Sequence, residues 1–232
     1  MNASHLSRIA VILAIAFSPL LCIAQQTDEV SLQFVSFPKP ENPQPIELIV
    51  GENKTVPVEI PTNSLSPVYK VNRSSKWTLG KTVVGEEGNS SFTTYGETLS
   101  IASKTQLILV IRSGAGDKDG LTLIAIDYEP SEFKGGAYLF FNASKTEITG
   151  KIGDTKLEIT ASNHSLVNPQ PANAEENKNS IPIHILLNKG EDANAFYSST
   201  WRFNEKARSL IFLFNETHSD RLRIHTIRDY LP

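Results

Sequence analysis

Residues 107–130 read LILVIRSGAGDKDGLTLIAIDYEP, and a similar segment, LIFLFNETHSDRLRIHTIRDYLP, closes the chain at 210–232. In both segments an apolar run is followed by a polar loop, a second run rich in branched residues, and the motif Asp-Tyr-x-Pro. Two short apolar runs joined by a polar loop are typical of a β-hairpin. The two segments therefore predict equivalent hairpins, one in the middle of the chain and one at its end.

The residues that precede the two hairpins also match each other, in the same order. Residues 31–130 align with 136–232, with gaps of only one or two residues between the matched motifs. The matched pairs are Gly51–Ile60 with Gly153–Ile159, Asn63–Leu65 with Asn163–Leu166, Val83-Val84 with Leu186-Leu187, and Phe92 with Phe196. A fixed order of matches at a constant spacing predicts an internal duplication with about a hundred residues in each copy.

The strand signals place the chain in the all-β class. Nine runs are rich in branched or aromatic residues and are separated by turn-forming residues: 30–37, 46–50, 55–60, 107–111, 121–126, 138–141, 181–187, 210–214 and 222–227. No stretch sustains the apolar spacing of a long helix, although 102–105 and 204–209 are each long enough for a single helical turn.

A sheet with one apolar face must cover that face with a second sheet. The sequence therefore predicts two tandem antiparallel β-sandwiches with an immunoglobulin-like arrangement, at residues 25–130 and 131–232. A single larger barrel that spans both copies is the alternative.

Residues 1–24 have the features of a secretory signal peptide. Arg8 precedes an apolar run at 9–21, and small side chains follow at Cys22 and Ala24. Cleavage after Ala24 predicts a secreted or periplasmic protein, with no cysteine left and no later segment apolar enough to cross a membrane. The formal charge of −3 and the pI near 6.0 argue against nucleic acid as a partner.

The sequence indicates no catalytic residue, and we expect no metal site and no cofactor. No serine lies in a Gly-x-Ser-x-Gly elbow, and no two histidines have the spacing of metal ligands. Asp117–Gly120 resembles part of a calcium loop, but a strand follows at once, which indicates a hairpin turn. The histidines that follow the signal peptide are His164, His184, His218 and His225.

Three further expectations concern single polar residues. His225 alternates with Ile224 along its strand, so we expect it on a solvated face. Asp127 and Asp229 occupy matching ends of two separate sandwiches, too far apart to act as acid and base on one bond. After the predicted signal peptide, sequons for N-linked glycosylation occur at Asn53, Asn72, Asn89, Asn142, Asn163 and Asn215, although Asn and Ser are also common in turns.

Aromatic side chains in the middle of each copy are the candidate ligand-binding residues. Large rings on neighbouring positions of one strand can stack on a sugar, although filling the core is the commoner role of tryptophan in a small sandwich. The candidates are Trp77, Tyr95, Phe196, Tyr197 and Trp201.

Two stretches resemble a known group of proteins. Phe140–Ser144 followed by Gly153–Leu157, and the closing residues 211–232, are similar to segments of uncharacterised secreted bacterial proteins with short immunoglobulin-like repeats. The resemblance covers most of the chain after residue 24. It implies export and a β-sandwich fold, and it carries no catalytic motif.

The sequence favours an exported, non-enzymatic binding or scaffold protein of the cell envelope, whose partner is an envelope protein or a glycan. A glycan-active enzyme is the second hypothesis, and it requires a deep cleft lined by two carboxylates roughly 5–10 Å apart. A purely structural spacer, without any pocket, is the third. The fold class alone does not decide among these hypotheses.

Overall fold

The computed structural model describes residues 28–38, 45–52, 54–85, 88–112, 120–170, 179–189, 192–216 and 221–231. The predicted signal peptide, Asp117–Asp119 of the calcium-like segment and residues 171–178 lie outside these ranges. Within them the chain forms strands and no helix, which confirms the all-β prediction. It follows that no described segment is a helix of the length and apolarity needed to cross a membrane.

Sixteen strands are formed within the described residues. They are β1 (Glu29–Phe37), β2 (Ile46–Gly51), β3 (Lys54–Val58), β4 (Tyr69–Asn72), β5 (Lys76–Val84), β6 (Ser90–Leu99), β7 (Thr105–Arg112), β8 (Leu121–Asp127), β9 (Tyr138–Asn142), β10 (Ile148–Ile152), β11 (Thr155–Ile159), β12 (His164–Val167), β13 (Ser180–Lys189), β14 (Asp192–Arg202), β15 (Ala207–Asn215) and β16 (Leu222–Tyr230). We call β1–β8 the first half and β9–β16 the second half.

The strands form four sheets of four. Sheet A has the order β4-β1-β7-β8 and sheet B the order β3-β2-β5-β6, while sheet C has β12-β9-β15-β16 and sheet D has β11-β10-β13-β14. Adding eight to each strand number converts sheet A into sheet C and sheet B into sheet D. The two halves therefore have the same strand order.

Two strand pairs correct the prediction of purely antiparallel sheets. β1 pairs with β7 in parallel, and β9 pairs with β15 in parallel, whereas the other pairs are antiparallel. Parallel neighbours need a long connection between them, and here five other strands separate the two members of each pair. Short-range hairpin signals in the sequence do not reveal such a pairing.

Each half has an apolar core between its two sheets. In the first half alternate residues of β1, namely Val30, Leu32 and Phe34, face sheet B and pack with Trp77 and Leu79 of β5. The corresponding core of the second half joins β9, β15 and β16 of sheet C to β10, β11 and β13 of sheet D. This arrangement is that of two β-sandwiches.

A third core lies between sheets A and C, so the two sandwiches pack face to face. Leu107 and Leu109 of β7 point toward sheet C, while Ile108 and Val110 between them point toward sheet B. The ring of Phe37 from β1 stacks on Phe212 from β15, with centroids 5.1 Å apart and planes at 8°. The layers therefore follow the order B, A, C, D, and sheets A and C are covered on both faces.

A cluster of polar contacts around Arg208 joins the two halves. Arg208 donates from Nε to Asp229 Oδ2 at 2.7 Å and from a terminal nitrogen to the carbonyl oxygen of Phe133 at 2.9 Å. Its guanidinium lies over the ring of Tyr128, 3.8 Å from the centroid, and the Tyr128 hydroxyl donates to Asp229 Oδ2 at 2.8 Å. We call Arg208, Asp229, Tyr128 and Phe133 the junction cluster.

The junction cluster revises the expectation for the two Asp-Tyr-x-Pro motifs. Tyr128 belongs to the first motif and Asp229 to the second, so the motifs meet instead of lying at the ends of separate sandwiches. Burial raises the pKa of Tyr128 well above its ordinary value, so its hydroxyl stays protonated and acts as a donor. Asp127, by contrast, accepts hydrogen bonds from Ser103 and from the backbone of Glu129.

The prediction that His225 lies on a solvated face is wrong. It is half-buried, its ring stacks on Phe37 with centroids 5.8 Å apart, and its Nε2 lies 3.3 Å from the carbonyl oxygen of Thr62. Both Phe37 and Thr62 come from the first half. His225 and Ile224 do point to opposite faces of sheet C, but the face that carries His225 is covered by sheet A.

The sequon at Asn142 lies in the core and has a structural role. The Asn142 amide donates to the carbonyl oxygens of Thr146 and Ile159 at 2.8 and 3.0 Å, and its Oδ1 accepts from the backbone and hydroxyl of Ser144. Asn142→Ala is expected to lower the free energy of unfolding by about 2 kcal/mol, because buried carbonyl groups lose their donors.

The control for this prediction is Asn72→Ala, at an exposed sequon asparagine of β4, which is expected to change stability by less than about 0.5 kcal/mol. Urea unfolding followed by circular dichroism measures both variants. Equal midpoints for the two would contradict the structural role of Asn142.

Candidate ligand-binding cleft

The first sandwich is closed along one edge by close contact between β6 and β8. These strands are the edges of sheets B and A, and they contact each other directly. A Cβ atom at Gly96 of β6 would overlap the carbonyl oxygen of Leu121 in β8. Glycine at this position therefore allows the two backbones to approach closely.

The second sandwich carries a large side chain at the corresponding position. Hairpins β5–β6 and β13–β14 each contain a bulge, whose extra residue is Tyr95 in β6 and Phe196 in β14. The next residue is Gly96 in the first half and Tyr197 in the second. A tyrosine cannot fit where two backbones touch, and among the described residues β14 and β16 make no comparable set of contacts.

A cleft of about 760 Å³ opens at this edge of the second sandwich. Its volume falls within the range of roughly 300–1,000 Å³ that is usual for small-molecule sites. Strands β9, β14, β15 and β16 supply most of the lining, and Asn63 from the first half completes it. The lining residues are Asn63, Gly136, Tyr138, Tyr197, Thr200, Trp201, Arg202, Asn204, Ala207, Ser209, Ile224, Thr226 and Arg228.

The floor of the cleft is the face of sheet C that points toward sheet D. Tyr138 of β9, Ser209 of β15 and Arg228 of β16 are paired neighbours across this sheet. Two strand spacings make this row about 10 Å wide. Along β16 the same face changes from Ile224 at the core to Thr226 and Arg228, which are exposed, so the strand becomes polar as it leaves the core.

The wall of the cleft is formed by Trp201, whose ring is fixed by its neighbours. Its Nε1 donates to the hydroxyl of Tyr197 at 2.9 Å. The ring stacks on Phe140 with centroids 6.2 Å apart and planes at 11°, and it lies 5.5 Å from the ring of Tyr138. A half-buried indole held from several sides is a rigid platform for a ligand.

The cleft carries positive charge. Arg202 and Arg228 are both exposed, and neither forms an ion pair with a described residue. Burial raises the pKa of Tyr138, and the nearby charge of Arg228 partly opposes this shift. The described lining contains no aspartate or glutamate.

The structure brings together two of the five aromatic candidates. Tyr197 and Trp201 line the cleft. Phe196 packs half-buried against the core of the second sandwich, and Tyr95 packs in the same way against that of the first. Trp77 is fully buried, and its Nε1 donates to Gln106 Oε1 at 2.8 Å, so its ring fills the first core.

The floor and its charge were not found from the sequence. Tyr138, Ser209 and Arg228 come from strands that lie far apart in the chain and meet through the parallel pair β9–β15. One signal was available: positions 222, 224, 226 and 228 read Leu, Ile, Thr and Arg on a single face. An apolar face that ends in polar residues indicates that this end of the strand lies at an opening.

A serine and a histidine meet on the outer face of sheet D, without the other parts of a catalytic site. Ser198 Oγ lies 2.9 Å from His184 Nδ1, and both residues are exposed. The neighbour of His184 on the other side is Lys151, not a carboxylate that could orient the imidazole. The described residues also include no cluster of His, Cys, Asp and Glu suited to a metal ion.

Neither the models of known protein families nor the sequences of curated proteins give a match to this chain.

Proposed function

We propose that this protein is an exported, non-enzymatic binding protein, and that its ligand site is the cleft of the second sandwich. The observation that carries the proposal is the difference between the two edges: the first is closed at Gly96, whereas the second is held open beside Tyr197. The open edge brings together a fixed indole, two arginines that form no ion pair with a described residue, and several hydroxyl and amide groups. Such a combination of aromatic and convergent polar groups is typical of ligand pockets.

Export and duplication belong to the same proposal. The pattern of residues 1–24 supports export to the cell envelope. The shared strand order, the shared parallel pair and the shared bulge support descent of both halves from one duplicated sandwich. We propose that each half resembles an immunoglobulin-like domain in having two packed sheets, but not in its strand order. Here the first strand lies between the fourth and seventh, whereas in constant-type immunoglobulin domains it lies beside the second.

The lining of the cleft favours binding over hydrolysis. Glycoside hydrolysis commonly uses two carboxylates that flank the scissile bond. The described lining residues include none, and the arginines present there are permanently charged and do not exchange protons near neutral pH. The described lining therefore supplies groups that hold and orient a ligand, without the pair of carboxylates that glycoside hydrolysis commonly uses.

The test uses the two tryptophans of the chain as reporters. Trp201 lines the cleft and Trp77 is buried in the other sandwich, so the Trp77 indole signal is an internal control. We expect that screening the ¹⁵N-labelled protein against a library of mono- and oligosaccharides, nucleotides and peptides yields ligands that shift the Trp201 signal alone. Trp201→Ala is expected to weaken their binding about fivefold or more, since stacking on an aromatic ring contributes about 1 kcal/mol.

The matched control is Phe196→Leu, which changes an aromatic residue next to the cleft that does not line it. This variant should bind the same compounds with unchanged affinity. Ligands whose shifts map to other surfaces, or a library in which nothing shifts the Trp201 signal, would refute the proposed site.

A further inference from the structure

We infer that the ligand of the cleft is an acidic sugar chain, bound through its carboxylate or sulfate groups. This inference rests on the proposed binding function and specifies its ligand. The first reason is charge: Arg228 lies on the floor, Arg202 adjoins the cleft at the end of β14, and no described lining residue is acidic. Guanidinium groups bind carboxylates and sulfates through paired, charge-assisted hydrogen bonds.

The charge of the cleft is not used in ion pairs among the described residues. Three other described arginines do make ion pairs: Arg73 with Asp28, Arg208 with Asp229 and Arg223 with Glu216. Arg228 and Arg202 have no such partner within the described ranges. An anion that enters the cleft can therefore pair with Arg228 without displacing a described carboxylate.

The remaining lining fits a sugar better than a peptide. Ser209, Thr226, Thr200 and the amide groups of Asn63 and Asn204 can each donate and accept hydrogen bonds, as sugar hydroxyls require. Peptides that add to a sheet need free backbone groups along an edge. The floor is a sheet face that presents side chains to a ligand. The free edges of β14 and β16 lie beside it, so an acidic peptide is included among the probes.

The aromatic wall completes the match. Sugar rings have flat apolar faces, and a ring held rigidly against them loses little conformational freedom on binding. Trp201 is held by Tyr197, Phe140 and Tyr138 and still lines the cleft. A sugar can therefore stack on Trp201 while its acidic group reaches Arg228 across the floor.

The experiment compares four probes on the full chain. They are α-1,4-trigalacturonate, 6-O-sulfated galactotriose, the neutral α-1,4-galactotriose, and triglutamate as an acidic peptide. Calorimetry gives the affinity, and the Trp201 indole signal gives the place of binding. We expect at least one acidic sugar to shift the Trp201 signal and to bind about tenfold or more tightly than galactotriose. The acidic sugar with the higher affinity shows whether the ligand binds through a carboxylate or a sulfate group.

Arg228→Gln should remove most of this preference, with little effect on galactotriose, and raising the salt concentration should weaken only the acidic sugars. Lys151→Gln, at a cation on the outer face of sheet D, is the matched control and should change neither affinity. Its exposed side chain pairs with Asp154, and no described residue of its strand lines the cleft.

The outcomes separate this inference from the proposed function. Equal affinity for neutral and acidic sugars at Trp201 would contradict the inference that the ligand is acidic, but not the proposed binding site. If triglutamate binds at Trp201 as tightly as the acidic sugars, the inference that the ligand is a sugar is wrong, and the proposed binding site again stands. If none of the four probes shifts the Trp201 signal, the acidic-sugar inference is wrong, and the broader library screen decides the proposed function by itself.

Discussion

Arg208→Met is expected to lower the free energy of unfolding by about 3–5 kcal/mol, which is the usual result of removing one partner from a buried ion pair. The Arg208 side chain is 7% exposed and that of Asp229 is 23% exposed, so solvent screens the pair only weakly. Methionine has a similar length but no donors. The variant therefore leaves the Asp229 carboxylate and the Phe133 carbonyl without their charged partner.

The effect should be specific to the guanidinium in the junction cluster. Arg208→Lys is expected to recover only a small part of the loss, because one ammonium cannot reach Asp229, the Phe133 carbonyl and the Tyr128 ring together. Tyr128→Phe, which removes only the donor to Asp229, should lower the stability by about 1 kcal/mol. Urea unfolding monitored by circular dichroism measures each variant.

The matched control is Arg202→Met, at an exposed arginine of β14 that makes no ion pair with a described residue. It should change the unfolding free energy by less than about 0.5 kcal/mol. If Arg208→Met lowers the unfolding free energy no more than Arg202→Met does, the junction cluster does not stabilise the fold.

Gly96→Ala is the second substitution with a large expected effect, a loss of about 3 kcal/mol. The added methyl group would overlap the backbone carbonyl of Leu121, and a backbone atom cannot rotate away as a side chain can. Strand β6 must then move away from β8, which opens the first core. Hydrogen exchange should accelerate in β6 and β8 while β14 and β16 are unaffected.

Gly51→Ala is the control for Gly96→Ala. A Cβ atom at Gly51 would lie 3.7 Å from the Cβ of Lys54, an ordinary contact, so the change should be within about 1 kcal/mol and in the stabilising direction. If Gly96→Ala behaves like Gly51→Ala, close approach of the backbones does not explain why the first sandwich is closed.

The all-β class was predictable because the most buried strands have the strongest sequence signals. β7 and β15 contain unbroken apolar runs, and such runs are typical of strands covered on both faces. The polar edge strands β6 and β14 lie outside the nine predicted runs. Ser and Thr make up five of the ten residues of β6, and half-exposed strands of this kind have little apolar alternation to detect.

The site was predictable only in part, for a similar reason. Tyr197 and Trp201 are conspicuous because they are large and close together in the sequence. Arg228 and Ser209 become part of the site only when sheet C is assembled, and its central pair, β9 with β15, joins residues about seventy positions apart. The packing of sheet A on sheet C, which also determines the surroundings of His225, depends on the same long-range pairing.

The face-to-face packing of sheets A and C makes the chain one cooperative unit. If either half unfolds, an apolar sheet face of the other half becomes exposed to water, at a cost of about 25 cal/mol for each Å² of apolar surface. We therefore expect the whole chain to unfold in a single two-state transition. The second half then owes part of its thermal stability to the first half, whose contribution to the cleft among the described lining residues is Asn63.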